Sequence, residues 1–297
     1  MQQIVPHLWY DKAAKEAALF YISLFDDSSL LKVAVLENTP SGDAEIVSFE
    51  LAGQPFKAIS AGPYFRFNPS ISLLVACYSV EEVTTRWTAL LAGGSALMPL
   101  GEYPFSKWYG WVQDRYGLSW QLMLTDSGKA VQKLTPNLLF SSDACGQAEE
   151  AVKYYTTIFP DSEPGIISRY GAGEAVSPKA RVNYAAFKLG GLDFSAMDNA
   201  FDVDFGFSEA FSFMINCKDQ NEIDYFWDKL SAIPEAEQCG WIKDKFGVSW
   251  QIVPESLDKI LFNGSKDELR SVTAAFLQMK KFDLNTLENA RKQKNKA

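Results

Sequence analysis

The chain of 297 residues holds one histidine, His7, inside a short apolar run (IVPHLWY). An imidazole can act as a general acid or base, or bind a metal, but a metal site needs three or four convergent donors. A lone histidine is more often a hydrogen-bonded structural residue. Two glutamines, Gln121 and Gln251, recur in matched surroundings: GWVQDRYGLSWQLML at 110–124 and GWIKDKFGVSWQIVP at 240–254. Strand alternation puts Ser119, Gln121 and Met123 on one face and Trp120 and Leu122 on the other. If Gln121 faces a cleft, Trp120 is core, and the same holds for Gln251 and Trp250. An amide brings no charge to a hard divalent ion, so its stronger reading is a hydrogen bond across the cleft. No activated nucleophile, Ser–His–Asp arrangement or paired carboxylate stands out.

These residues belong to a duplicated chain. The spacing predicts a strand at 4–10, a helix opened by Asp11, and strands at 30–36, 46–51 and 55–60. A further strand follows at 71–78. Ser79 and Glu82 then form a capping box for a helix whose stripe holds Val83, Trp87, Leu90 and Leu91. Strands at 108–113 and 118–124 close the repeat. The second repeat follows the same order, with Asn137 in the place of His7, Cys217 in that of Cys77 and Trp227 in that of Trp87. Shared punctuation over most of both halves indicates duplication, each half being two βαβββ modules. The expected divisions are a first domain at 1–125, a linker at 126–135 with a turn at Asp126-Ser127-Gly128, and a second domain at 136–254. A helical extension at 255–297 completes the chain. It has a capping box at Ser265 and Glu268, a cap at Asp283 and a frayed basic tail. Domains joined by so short a linker pack together or exchange modules.

Composition narrows the function classes. Hydrophobic residues make up 47% and charged ones 22%, as in a globular protein with a substantial core. The net charge of −9 argues against nucleic-acid and anionic-membrane partners, which want basic patches. No apolar run approaches the ~18 residues of a membrane span. The first residues lack the pattern of a signal peptide, and the four cysteines form no CxxC pair, so the expectation is a cytoplasmic protein with reduced thiols. Aromatics are the richer signal, at 14%. Tyr64, Phe65 and Phe67 share one loop, and Phe201, Phe205 and Phe207 the corresponding one. Trp111 and Trp241 are counterparts. These rings either line a pocket for a flat apolar ligand or seal the ends of curled sheets. Gly171-Ala172-Gly173 lacks a third glycine and a following helix, so it is read as a loop and not as a dinucleotide fingerprint.

The opening PHLWYDKAAKEAALFYISLF, the loop AGPYFRFN, the doubled GW–D–[YF]G–SWQ ending and the tail AFLQMKKFDLNTLENA resemble the PhnB-like family. That family is also labelled 3-demethylubiquinone 3-methyltransferase-like. It belongs to the vicinal oxygen chelate superfamily of glyoxalases, bleomycin-resistance proteins and dioxygenases. The resemblance implies an α+β fold of tandem glyoxalase-like domains, each with two βαβββ modules curled around a cleft. Metal-using members hold a divalent ion there, with ligands from the first and last strands of each module. On that pattern the first repeat offers His7, Ser60, Ser72 and Gln121, and the second Asn137, Asp198, Ser212 and Gln251. His7, Gln121, Asp198 and Gln251 are the metal candidates, and a mixed site such as His7 with Asp198 needs exchanged modules. Both sets are poor in charged donors, so the reading ranks no metal ahead of a divalent one. A small-molecule binding cleft comes first, with His7, Ser60, Tyr64, Phe67, Trp111, Gln121, Asn137, Asp198, Phe207, Trp241 and Gln251 as its candidates. A metal-dependent glyoxalase- or dioxygenase-type enzyme is the alternative. Methyl transfer is remote, because S-adenosylmethionine would call for a doubly wound sheet with a Gly-rich loop. Homodimerisation follows by analogy, though duplication can supply the module pairing within one chain.

Overall fold

The structure is a computed structural model and describes residues 4–126 and 132–292. Ser127 and Gly128 of the predicted turn at Asp126-Ser127-Gly128, and most of the basic tail, lie outside these residues. The first module runs β1 (Ile4–Tyr10), α1 (Ala14–Ile22), β2 (Ser29–Thr39), β3 (Gly42–Leu51) and β4 (Gln54–Ser60). The second is β5 (Ile71–Cys77), α2 (Val80–Leu91), β6 (Ser95–Tyr103), β7 (Ser106–Gln113) and β8 (Ser119–Leu124). Then come β9 (Leu134–Phe140), α3 (Ala148–Ile158), β10 (Glu163–Arg169), β11 (Val182–Leu189) and β12 (Leu192–Asp198). The last module has β13 (Phe211–Cys217), α4 (Gln220–Leu230), β14 (Trp241–Lys243) and β15 (Ser249–Pro254). Helices α5 (Glu255–Asn263), α6 (Lys266–Phe276) and α7 (Leu284–Lys292) form the extension. This is the expected α+β architecture.

The compact units cut across the sequence repeats. One unit comprises 1–66 and 209–297, the other 67–208. In the first, the sheet order is β14-β15-β13-β1-β4-β3-β2. β1 pairs antiparallel with β13, placing His7 opposite Ser212, and parallel with β4, placing His7 opposite Lys57. In the second, the order is β10-β11-β12-β9-β5-β8-β7-β6, and β9 pairs with β5 so that Asn137 lies opposite Ser72. Each sheet is therefore completed by modules from different repeats.

Alternation along the strands divides cleft from core. In β1, Leu8 and Tyr10 are buried beneath α1, where the Tyr10 hydroxyl meets that of Tyr21 at 3.2 Å. His7 and Trp9 take the opposite face. Trp120 and Trp250 are fully buried, as the glutamine parity predicted. Their indole N–H groups each donate to an aspartate, Asp114 or Asp244, at 2.8 Å. The other carboxylate oxygen of Asp114 accepts from the amides of Tyr116 and Leu118, and that of Asp244 from Phe246 and Val248. The doubled D–[YF]G–SW signature is thus a turn tied to a buried indole.

Several local expectations change. Asp11 does not cap α1, which starts at Ala14, and the Ser60 hydroxyl accepts the Ala14 amide instead at 3.0 Å. Glu82 accepts from the amide of Tyr78 rather than that of the N-cap Ser79, so that capping box is only half formed, whereas the Ser265–Glu268 box is complete. In α4 the buried stripe is Ile223, Phe226 and Leu230, and Trp227 is only partly covered. Among the described residues the second repeat has no equivalent of β6. There the extension steps in: the amides of Cys239 and Gly240 donate to the carbonyls of Met279 and Lys280 at 2.8 and 2.7 Å. Gly240 has φ +83°, and a Cβ on it would stand 2.5 Å from the Phe282 ring. Glycine permits both the backbone conformation and this close docking.

Candidate functional site

A cavity of about 550 Å³ opens on the cleft face of the first unit. Strand parity builds its floor: His7 and Trp9 from β1, Lys57 and Ile59 from β4, Met214 from β13, and Ser249 and Gln251 from β15. Tyr64, Phe65 and Trp241 form walls, and Leu257, Asp258, Leu261 and Phe276 of the extension close one side. The rings make a cluster. Trp241 lies edge-on to His7 with centroids 5.5 Å apart, and Trp9 lies edge-on to Phe65 at 5.0 Å and to Trp241 at 6.0 Å.

The polar groups of this cleft are few and buried. His7 is 5% exposed. Burial, and then the charge on Lys57, push its pKa down to about 3, so the imidazole is neutral near neutral pH. His7 Nδ1 and Ser249 Oγ are buried with no hydrogen-bond partner among the described residues. Gln251 donates to Ser212 Oγ at 2.9 Å. The ammonium of Lys57 pairs with Asp258 of α5. Buried polar atoms are nearly always satisfied, so two orphans facing one cavity mark a place where a ligand or water belongs.

The equivalent positions of the second unit are closed on one another. Tyr109 donates to Gln121 Oε1 at 2.7 Å, and Gln121 donates to Ser72 at 2.8 Å. Trp111 donates to Ser119 at 2.6 Å, and Ser195 to Asn137 at 2.9 Å. Only Asn137 Nδ2 is left over in this group. Cys239 stands where Tyr109 would be and Lys57 where Ser195 is, and these two exchanges leave the first unit's cleft open. A smaller cavity of about 330 Å³ lies on the second sheet beside Leu74, Met123, Thr135 and Tyr184.

The predicted site residues therefore divide. His7, Tyr64, Trp241 and Gln251 line the larger cavity. Gln121, Asn137 and Trp111 belong to the closed set. Phe207 packs edge-on against Phe140 at 5.1 Å, and Phe67 lies beside Gly117. Ser60 and Asp198 point away from the clefts, because the inward parity falls on Lys57 and Ser195. Ser60 caps α1, while the buried Asp198 accepts from the amides of Gly146, Ala148, Arg181 and Val182. His7 and Asp198 sit in different units, on opposite parities of their strands. Trp9, Lys57, Ser249 and Asp258 were missed. Trp9 and Ser249 share parity with His7 and Gln251, which was the available signal.

The donors do not fit a divalent metal. The strand positions that would supply ligands in the first unit carry His7, Lys57, Ser212 and Gln251, where a cation replaces a donor and the amide is already bonded. Those of the second carry Asn137, Ser195, Ser72 and Gln121, all neutral. Such sets supply no charge to balance a dication. Among the described residues no three His, Cys, Asp or Glu side chains gather to hold a metal. Cys77 and Cys217 are buried, and burial pushes both thiols up, leaving them as core residues.

Comparison with known proteins agrees with this architecture. No curated protein matches the chain. A Bacillus cereus structure described as a putative 3-demethylubiquinone-9 3-methyltransferase, PhnB protein, is 42% identical. It covers 42% of this chain and 100% of its own, with a TM-score of 0.40. Protein PA1353 from Pseudomonas aeruginosa is 24% identical over 42% of this chain and 98% of its own, with a TM-score of 0.37. Glyoxalase I from Zea mays aligns over 89% of this chain and 98% of its own at a TM-score of 0.54, with 11% identity, a likeness of fold. The family model described as 3-demethylubiquinone-9 3-methyltransferase matches twice, over residues 2–123 and 132–253. Matched along both repeats and built on the glyoxalase/bleomycin resistance/dioxygenase fold, this chain belongs to the PhnB-like 3-demethylubiquinone-9 3-methyltransferase family.

Proposed function

We propose that the first unit binds a small, flat, partly apolar molecule between Trp9, Phe65 and Trp241. The observation that carries this reading is the pairing of an aromatic-walled cavity of about 550 Å³ with two buried polar atoms, His7 Nδ1 and Ser249 Oγ, that lack partners. Binding pockets commonly combine apolar walls with a few placed polar groups. The family's description names methyl transfer. Among the described residues both sheets are mixed, without a doubly wound parallel arrangement, and the Gly171–Gly173 stretch lies in a loop. These features favour binding over methyl transfer from a nucleotide-like donor. No helix among the described residues is long and apolar enough to cross a membrane.

The test is ligand-observed NMR with 2-naphthol. Binding is expected to be lost in Trp241→Ala and kept in Trp111→Ala, the matching change in the second unit. Equal loss in both variants, or no binding to the wild-type chain, overturns the reading.

A further inference from the structure

We propose that the ligand of the first unit's cleft is an aromatic monocarboxylate, and that its carboxylate displaces Asp258 from Lys57. This rests on the cleft being a binding site and adds the charge of what it takes.

Lys57 is placed as a receptor for an anion. It stands on the central strand β4 beside His7, and its side chain is 8% exposed. Its counterion comes from outside the sheet: Asp258 sits on α5, and its side chain is 39% exposed. The floor around Lys57 offers no other charge, since His7 is neutral and Ser212 and Gln251 are bonded to each other. A buried ammonium without an anion is costly. A neutral ligand must therefore leave the Lys57–Asp258 pair in place, whereas an anionic one can take over the cation and release Asp258 toward solvent.

The surrounding groups match a carboxylate. Ser249 Oγ offers a second donor, and His7 Nδ1 a further polar contact, in the same cavity. The rings receive the aromatic body. The charge is single, because Lys57 is the one cation among the described residues lining the cavity. Glu209 and Glu235 also line it, and Glu209 is already paired with Lys243 at 2.8 Å. A dianion would meet these carboxylates without compensation. The comparison position sharpens the argument: where the second unit closes its cleft, Lys57 is replaced by Ser195, bonded to Asn137.

The experiment is calorimetric titration of the full chain with 2-naphthoate and with neutral 2-naphthamide. Naphthoate is expected to bind about tenfold tighter than naphthamide, and Asp258→Asn to tighten naphthoate by a further factor of about ten, well beyond any change for naphthamide. Lys57→Met is expected to bring naphthoate down to the level of naphthamide. Equal affinity of the two probes for the wild-type chain, or unchanged naphthoate affinity in Asp258→Asn, overturns the inference while the binding reading stands. If neither probe binds, both fail. Should Lys57→Met not fold, judged by its circular dichroism melt, the comparison of the two probes on the wild-type chain decides alone.

Discussion

Tyr109 donates a hydrogen bond from its phenolic O–H to Gln121 Oε1 at 2.7 Å, inside a group of side chains that closes on itself in the second unit's cleft. Burial pushes the Tyr109 pKa up, so the phenol stays protonated and donates. Its counterpart Cys239 turns its thiol to the Phe276 carbonyl instead, at 3.4 Å. This exchange, with that of Ser195 for Lys57, separates a group of side chains that is satisfied from within from one that is not. Tyr109→Phe leaves the amide oxygen of Gln121 short of a partner and is expected to cost roughly 1–3 kcal/mol in urea unfolding. A loss well under ~0.5 kcal/mol would show that the bond does not hold the closed set together.

Asp114 and Asp244 each satisfy two loop amides and one buried indole. Asn in either place keeps one acceptor but sets an NH₂ against a donor. Asp244→Asn is expected to lower stability by roughly 2–4 kcal/mol, since a buried donor loses a charged acceptor. The indole side-chain N–H of Trp250 should also lose protection in hydrogen exchange. Unchanged protection would contradict this role.

His7 makes stability depend on pH in one direction. Its pKa is lowered from 6.5 to about 3 in the folded chain. Between those values the unfolded chain binds a proton that the folded one refuses. Stability therefore falls as pH drops from 6.5 toward 3, by up to roughly 1.4 kcal/mol per pH unit. His7→Asn, which installs the residue of the second repeat, is expected to flatten that slope relative to wild type in urea titrations. Because His7 is the only histidine, its ring NMR signal reports directly. A midpoint near 6.5 in the folded chain would refute the assignment.

The donor sets predict weak metal binding. After loading with Ni²⁺, Zn²⁺, Mn²⁺ or Fe²⁺ and desalting, elemental analysis is expected to find no stoichiometric ion. An ion retained at about one per chain, and lost in Gln251→Ala or Gln121→Ala, would restore the metalloenzyme alternative.

Much of this fold was legible because it is written twice. Matched residues such as Trp120 and Trp250 gave strand parity, and parity placed Gln121 and Gln251 on the cleft side. Other features resisted. β6 carries Pro99 and Gly101, has three register shifts against β7 and forms an exposed edge, so its alternation is broken. Ser60 and Asp198 drew attention as polar residues near the expected position, but a register slip of one residue reverses a strand's faces. Lys57 and Ser195 hold the inward parity instead. Pairing of β1 with β13 is a contact between distant parts of the chain, and no local pattern announces it. The cavity beside His7 was equally hidden, because it depends on Cys239 and Lys57 standing where the other unit has Tyr109 and Ser195, at positions distant in sequence.

The most direct test of the binding cleft is a crystal soaked with 2-naphthol at saturation. The account predicts density for the bicyclic ring against Trp241, between Trp9 and Phe65, with its hydroxyl within hydrogen-bond distance of His7 Nδ1 or Ser249 Oγ. An empty cleft, or density confined to the smaller cavity beside Tyr184, would contradict it.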